Sequence, residues 1–260
     1  MELDNRVALV TGAGTRVGRV IAIALGKAGV RVGVHYFGSE KGARQTAEEI
    51  IAAGGDAVTL PGDLTDPATC LRLVEHTTKV LGSLDVLVNS AAVMLRTPIG
   101  EVLVEDWDAM FALNLRAPFF LSQAAARVMA EDGGAIVNIA DLAAFETWRG
   151  YIPHAITKAG VVQMTRSLAI ELEGTGVTAC AYNPGPLDTE MQERIRRLST
   201  TDFPRADEYR QLQHEGKLRD PKDAARAIAY LSLPATLRSG ESLQYDDADL
   251  ARAVEAALPG

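Results

Sequence analysis

The chain has 260 residues, 47% hydrophobic and 23% charged, which excludes a disordered chain, a collagen-like repeat and a disulfide scaffold. Twenty-six basic against 34 acidic side chains leave a net charge of −8, a surface that repels phosphate backbones and argues against a nucleic acid partner. The two cysteines, Cys70 and Cys180, have neither pairing nor zinc-ligand spacing, no apolar run reaches membrane-spanning length, and the N-terminus lacks a signal-peptide pattern, so the expectation is a soluble cytoplasmic protein.

Taken in order, short apolar runs alternate with helical stretches. Val7–Val10 reads as a buried strand ending in a glycine-rich turn, and residues 17–27 follow with helical spacing. Strands are expected at 31–36, 57–60, 84–88, 135–139, 177–182 and 242–245. Helices are expected at 39–53, 67–81, 106–130, 153–173 and 221–233. Residues 187–219 read as a charged, irregular segment, too long for an ordinary connection and therefore a substrate-binding lid. Continuously apolar strands separated by helices imply parallel pairing with both sheet faces covered. The expected fold is a single α/β domain over 1–260, a Rossmann-type doubly wound sheet of about seven strands.

The turn Thr11-Gly12-Ala13-Gly14-Thr15-Arg16-Val17-Gly18 lies between the first strand and the first helix. Glycines there let the backbone approach a pyrophosphate, and the helix N-terminus offers free N–H groups to it. An acidic residue ending the second strand would bind the ribose hydroxyl of NAD. That place is held by Tyr36, with Ser39 just beyond, and Arg16 stands in the loop. Arg16 and Ser39 suit a 2′-phosphate, so NADP(H) is the expected cofactor.

At this point the chain resembles the short-chain dehydrogenase/reductase family from end to end. Thr11–Gly18 is similar to the family's TGxxxGxG, with Arg16 in place of the middle glycine. Asp63-Leu64 matches its adenine-contacting pair, and Asn89-Ser90-Ala91-Ala92 stands where it has NNAG. Asn114 matches its active-site Asn, and Tyr182–Thr189 its PG motif. Arg16, Asp141 and the run Asn114–Phe120 resemble pteridine reductases, while Gly185–Met191 looks like sepiapterin reductase. The resemblance implies a small-molecule carbonyl or pterin-like substrate and a homotetramer built on two long helices. It implies cofactor contacts at Gly12, Gly14, Thr15, Arg16, Val17, Gly18, Tyr36, Ser39, Asp63, Leu64, Asn89, Ala91, Lys158, Pro184, Gly185, Leu187 and Thr189. It also points to substrate contacts at Arg16, Met94, Asp141, Trp148, Tyr151 and Met191, Met94 falling where pteridine reductases carry a stacking aromatic.

The catalytic register departs from the family. Lys158 fits the lysine of YxxxK, but His154 stands where the tyrosine belongs, and Asp141, 13 residues earlier, replaces the serine. The catalytic set read from the sequence is therefore Asn114, Asp141, His154 and Lys158. Three readings stand side by side. His154 donates the proton, as histidines do near neutral pH; a nearby group such as Tyr151 replaces it; or turnover has been lost, leaving a catalytically impaired NADP(H)-binding regulatory protein. His35, His76 and His214 have no metal-ligand spacing, and no metal is assigned.

Overall fold

The computed structural model describes residues 3–188, 190–203, 205–233, 236 and 238–258. Seven strands form one all-parallel sheet: β1 Val7–Val10, β2 Arg31–Tyr36, β3 Ala57–Pro61, β4 Val86–Asn89, β5 Gly134–Ile139, β6 Val177–Asn183 and β7 Ser242–Gln244. Their order is β3-β2-β1-β4-β5-β6-β7. All four residues of β1 are buried, which is why the strand reads as an unbroken apolar run rather than an alternation. Val10 pairs with Val34 on one side and Val88 on the other, so the chain reverses its direction of winding at β1 and β4. Loops leaving that switch point diverge and open a crevice at the carboxyl ends of the strands.

Helices cover both faces. On one lie α1 Arg16–Lys27, α2 Glu40–Ala52 and α9 Pro221–Leu231, which bury Ile21, Leu25, Ile50 and Ile228 against Val32, Val34 and Val137. On the other, α3 Pro67–Leu81, α5 Ala117–Val128 and α6 Ile152–Glu171 flank the sheet, with Leu73 and Leu121 packed against Leu9, Leu87 and Ile136. Each fully buried aliphatic side chain contributes about 1.5–3 kcal/mol. Cys70 and Cys180 are buried free thiols, one in each layer.

Three elements differ from the sequence expectation. The helix expected at 106–130 runs without a gap over 104–128, but a π-helical turn at Ala112–Arg116 lies inside it, between α4 Val104–Phe111 and α5. Pro118, at the start of α5, has no N–H to continue the ladder, and the wider turn before it absorbs the interruption. The segment 187–219 is not irregular but contains α7 Glu190–Arg197 and α8 Ala206–His214. Its many charges obscured the apolar side of these helices, of which Ile195, Ala206 and Tyr209 are buried. The ends of this segment meet, Leu187 bridging to Arg219 in parallel register. The chain also carries a helix, α10 Ala248–Ala257, beyond the last element expected from the sequence. Asp247 caps it by accepting hydrogen bonds from the Asp249 and Leu250 amides, and Leu250 and Val254 pack inward one turn apart.

Candidate active site

The crevice holds a cavity of about 620 Å³, within the range of sites that take a dinucleotide end or a drug-sized molecule. Its first wall is the turn after β1. Gly12 has φ +66°, and a Cβ on Gly18 would stand 2.5 Å from the Gly12 carbonyl oxygen, so both positions require glycine. Arg16, where the family motif has its middle glycine, keeps the left-handed backbone that a glycine would have, at φ +53°. Gly12, Thr15, Arg16, Val17 and Gly18 line the cavity, with Ser39, Asp63, Leu64 and Ala91 beside them. Gly14 lies under Ser39, whose Oγ would be 2.6 Å from a Cβ there. Tyr36 is half-buried against the core and does not line the cavity.

The turn is tied down by residues whose role the sequence did not disclose. The Thr11 hydroxyl accepts from the Ser90 and Ala91 amides at 2.9 and 3.0 Å, joining the turns after β1 and β4. Buried His35, at the end of β2, accepts from the Gly12 amide through Nδ1 at 3.1 Å. Its Nε2 lies 3.0 Å from the Gly62 carbonyl and must carry the proton, since a carbonyl only accepts. Burial lowers the imidazole pKa to about 4, with the Gly62 hydrogen bond opposing, so the ring is neutral and links the turns after β1, β2 and β3. His35 had only its place at a strand end to mark it.

The second wall is Asp141, His154 and Lys158. Asp141 follows β5 and caps a short 3₁₀ turn, its Oδ1 accepting from the Ala143 amide at 2.9 Å. Its Oδ2 lies 2.8 Å from His154 Nε2. The other ring nitrogen, Nδ1, lies 3.3 Å from the Val93 carbonyl. The ring thus bridges the carboxyl of Asp141 and the Val93 carbonyl, with a hydrogen-bond partner at each nitrogen. The His154 side chain is 3% exposed and that of Asp141 31%, so the carboxyl is the more open member of the pair. Burial pushes the Asp141 carboxyl up, but the His154 hydrogen bond, the Lys158 and His154 charges and the Ala143 amide together hold it below the ordinary carboxylate range. Lys158 is buried and donates to the Ile139 carbonyl at 2.9 Å. Burial pushes its pKa down, against the charge of Asp141.

Asn114 and Asn89 are engaged behind the walls. Asn114, inside the π-helical turn, accepts from the Val93 amide and donates to the Val93 carbonyl, both at 2.8 Å, and reaches Thr157 at 3.3 Å. It therefore fixes the same carbonyl that faces His154. Asn89 donates to Asn138 at 2.8 Å and to Ser122 at 3.2 Å in the interior between β4, β5 and α5, rather than lining the cavity.

The third wall joins the turn after β6 to the 187–219 segment. Pro184, Gly185 and Leu187 line it. Gly185 has φ +72°, and a Cβ there would strike the Tyr245 ring at 2.5 Å. The far end is formed by Met94, Trp148, Ile195, Phe203 and Tyr209. Tyr151 is buried in the same aromatic cluster, but its hydroxyl donates to the Asp202 carbonyl at 3.3 Å and it does not line the cavity. Thr189 lies outside the described residues, as does the side chain of Met191. Among the described residues no group of three His, Cys, Asp or Glu is placed to hold a metal ion, and no helix is long and apolar enough to cross a membrane.

Comparison with known proteins places this arrangement. Residues 6–199 match the family model described as short chain dehydrogenase. A 3-oxoacyl-acyl-carrier-protein reductase of Synechocystis sp. is 32% identical over 94% of this chain and 96% of its own length. Versicolorin reductase 1 of Aspergillus parasiticus is 32% identical over 88% of this chain and 90% of its own. A short chain dehydrogenase from Burkholderia cenocepacia J2315, solved in complex with NADP, superposes with a TM-score of 0.84 at 30% identity, over 95% of this chain and 98% of that one.

Proposed function

This chain belongs to the short-chain dehydrogenases, and from that premise we propose that it is an NADPH-dependent reductase of a carbonyl or pterin-like substrate. NADP(H) is favoured by Arg16 and Ser39 on the cavity wall and by the absence of a carboxylate at Tyr36. The Burkholderia neighbour, solved with NADP, supports the same cofactor. The first wall would hold the pyrophosphate and adenosine portion, and Lys158 with Pro184, Gly185 and Leu187 the nicotinamide end. When bound, the reduced nicotinamide supplies the hydride. The far end of the cavity, rich in aromatic rings, suits a flat substrate, and the relative named for versicolorin fits that reading.

The observation that carries the proposal is the Asp141–His154 contact beside Lys158. His154 is nearly buried and both its nitrogens are engaged, so it has no free N–H for a substrate. Asp141 is the more open partner. In our reading the proton leaves His154 Nε2, crosses to Asp141 Oδ2, and passes from there to the substrate oxygen as the carbon is reduced. Asp141 is then the catalytic acid and His154 its reservoir. Asn114 supports the set by fixing Val93, and Lys158 holds a positive charge against the site.

The engaged nitrogens of His154 also favour a second reading, an NADP(H)-binding regulatory protein with impaired turnover. The two separate on NADPH oxidation with dihydrobiopterin, sepiapterin, diketones and quinones, for wild type, His154→Ala and His154→Tyr, from about pH 5 to about pH 9. The reductase reading expects wild-type turnover that collapses in His154→Ala. Cofactor binding without turnover, with activity appearing only in His154→Tyr, would overturn it.

We further propose that residues 187–219 close over the substrate as a lid within a single cytoplasmic domain. A homotetramer would be assembled through α4, α5 and α6. These helices expose Trp107, Phe119, Ile156 and Ile170, large apolar groups that a partner copy would cover.

A further inference from the structure

The 187–219 segment carries to the cavity a tyrosine that the catalytic register lacks. Tyr209, on α8, is 3% exposed, and its ring lines the cavity with Asp141, His154 and Trp148. The ring is fixed in place. Phe203 meets it edge-on with centroids 5.7 Å apart, and the Arg205 guanidinium lies 5.6 Å over its face. The same guanidinium covers Trp148 at 5.5 Å and is anchored by Glu146 and Glu208. One cation thus orients two aromatic rings from two separate segments of the chain.

The hydroxyl is what remains unexplained by packing. It makes no hydrogen bond among the described residues, whereas the neighbouring Tyr151 spends its own on Asp202. Its oxygen is not one of the buried atoms left without a partner, so a residue that is buried as a whole keeps its hydroxyl accessible. Asp141 lines the same cavity.

We propose that Tyr209 is a catalytic residue contributed by the lid, whose hydroxyl donates a hydrogen bond to the substrate oxygen that Asp141 protonates, while the flat body of the substrate lies against Trp148. The proposal rests on the reductase reading above. In the reaction the carbonyl carbon gains hydride from NADPH, and its oxygen gains a proton from the Asp141–His154 pair. Tyr209 keeps its proton throughout. Burial pushes its pKa up to about 12, with Arg205 opposing, so it remains a donor at every working pH. A fixed donor aimed at developing negative charge is the arrangement that lowers a barrier without itself reacting.

The test is Tyr209→Phe, which keeps the ring and removes only the hydroxyl. Two readouts are needed: steady-state reduction of isatin, a planar soluble dione, and isatin binding to the NADP+-loaded protein. The expected result is unchanged NADPH affinity and melting temperature, isatin binding about tenfold weaker, and kcat/KM about 100-fold lower. Equal binding and equal kcat/KM in wild type and Tyr209→Phe would overturn the role of Tyr209 while leaving the reductase reading standing. Binding that depends on Tyr209 without any turnover would instead sink the reductase reading and keep the contact. Failure of the wild type to bind isatin would overturn the proposed contact.

Discussion

His154 Nε2 stands 2.8 Å from Asp141 Oδ2, and the Val93 carbonyl faces the opposite nitrogen of the same ring. If the pair works as one unit, as the proposed reductase requires, single substitutions are expected to cost nearly as much as the double. Asp141→Asn and His154→Ala should each lower kcat about 100-fold or more, and the double variant little further. Independent, multiplying losses would mean that the two residues do not share a proton. The Asp141 carboxyl is held below its ordinary range in the folded chain, so its ionised form favours folding. That stability is present above the ordinary carboxylate pKa and is lost as pH falls through the lowered value. Wild type should therefore lose more melting temperature than Asp141→Asn on acidification below about pH 4.

Arg16 sits at φ +53°, a backbone that costs a non-glycine residue about 1–2 kcal/mol. Arg16→Gly releases this strain, while the freer unfolded chain takes back about 0.4–1 kcal/mol. The unliganded protein should become slightly more stable, by up to about 1 kcal/mol in chemical denaturation. NADPH should bind about tenfold more weakly and NADH unchanged, because only the 2′-phosphate loses a cation. Equal losses for both cofactors would show that Arg16 serves the loop's shape and not the phosphate.

His35→Leu leaves the Gly12 amide and the Gly62 carbonyl without their shared partner. Each unpaired group costs about 1–3 kcal/mol, and we expect a loss of about 2–6 kcal/mol together with weakened NADPH binding. The folded imidazole has its pKa lowered from 6.5 to about 4. The unfolded chain takes up the proton first, so the stability this neutral ring contributes is full above pH 6.5 and declines toward about 4. Urea midpoints of wild type between pH 7 and 4 should fall along this window, and those of His35→Leu should fall less.

Tyr151 was a candidate replacement for the missing catalytic phenol, but its hydroxyl is turned to the Asp202 carbonyl. Tyr151→Phe should keep kcat within about threefold of wild type, since one hydrogen bond of the 187–219 segment is at stake, about 1 kcal/mol. A drop of 100-fold would return Tyr151 to the reacting set.

Much of the fold was legible because it is written locally. Runs such as Val7–Val10 and Val86–Asn89 declare strands buried on both faces, and the glycines at 12 and 18 mark a turn no other residue can make. The spacing was equally plain, since Asp141 and His154 stand 13 residues apart, as the serine and tyrosine of the resembled family do. The π-helical turn before Pro118, the two helices of the 187–219 segment and α10 were harder. Their helical signal is short or masked by charge, and packing rather than propensity stabilises such elements.

What the sequence by itself determined is the seven strands with most of the helices, the glycine turn after β1 and the spacing of Asp141, His154 and Lys158, because each depends on near neighbours or fixed spacing. Only the tertiary structure decided which of those side chains meet. It left Asp141 more open than His154 on the cavity wall, turned Tyr151 away, drew His35 under the turn after β1 and brought Tyr209 from 68 residues beyond Asp141 to the same cavity. Such meetings depend on how the sheet stacks its loops at the switch point and on which buried polar groups find partners, and neither is encoded in any short stretch of chain.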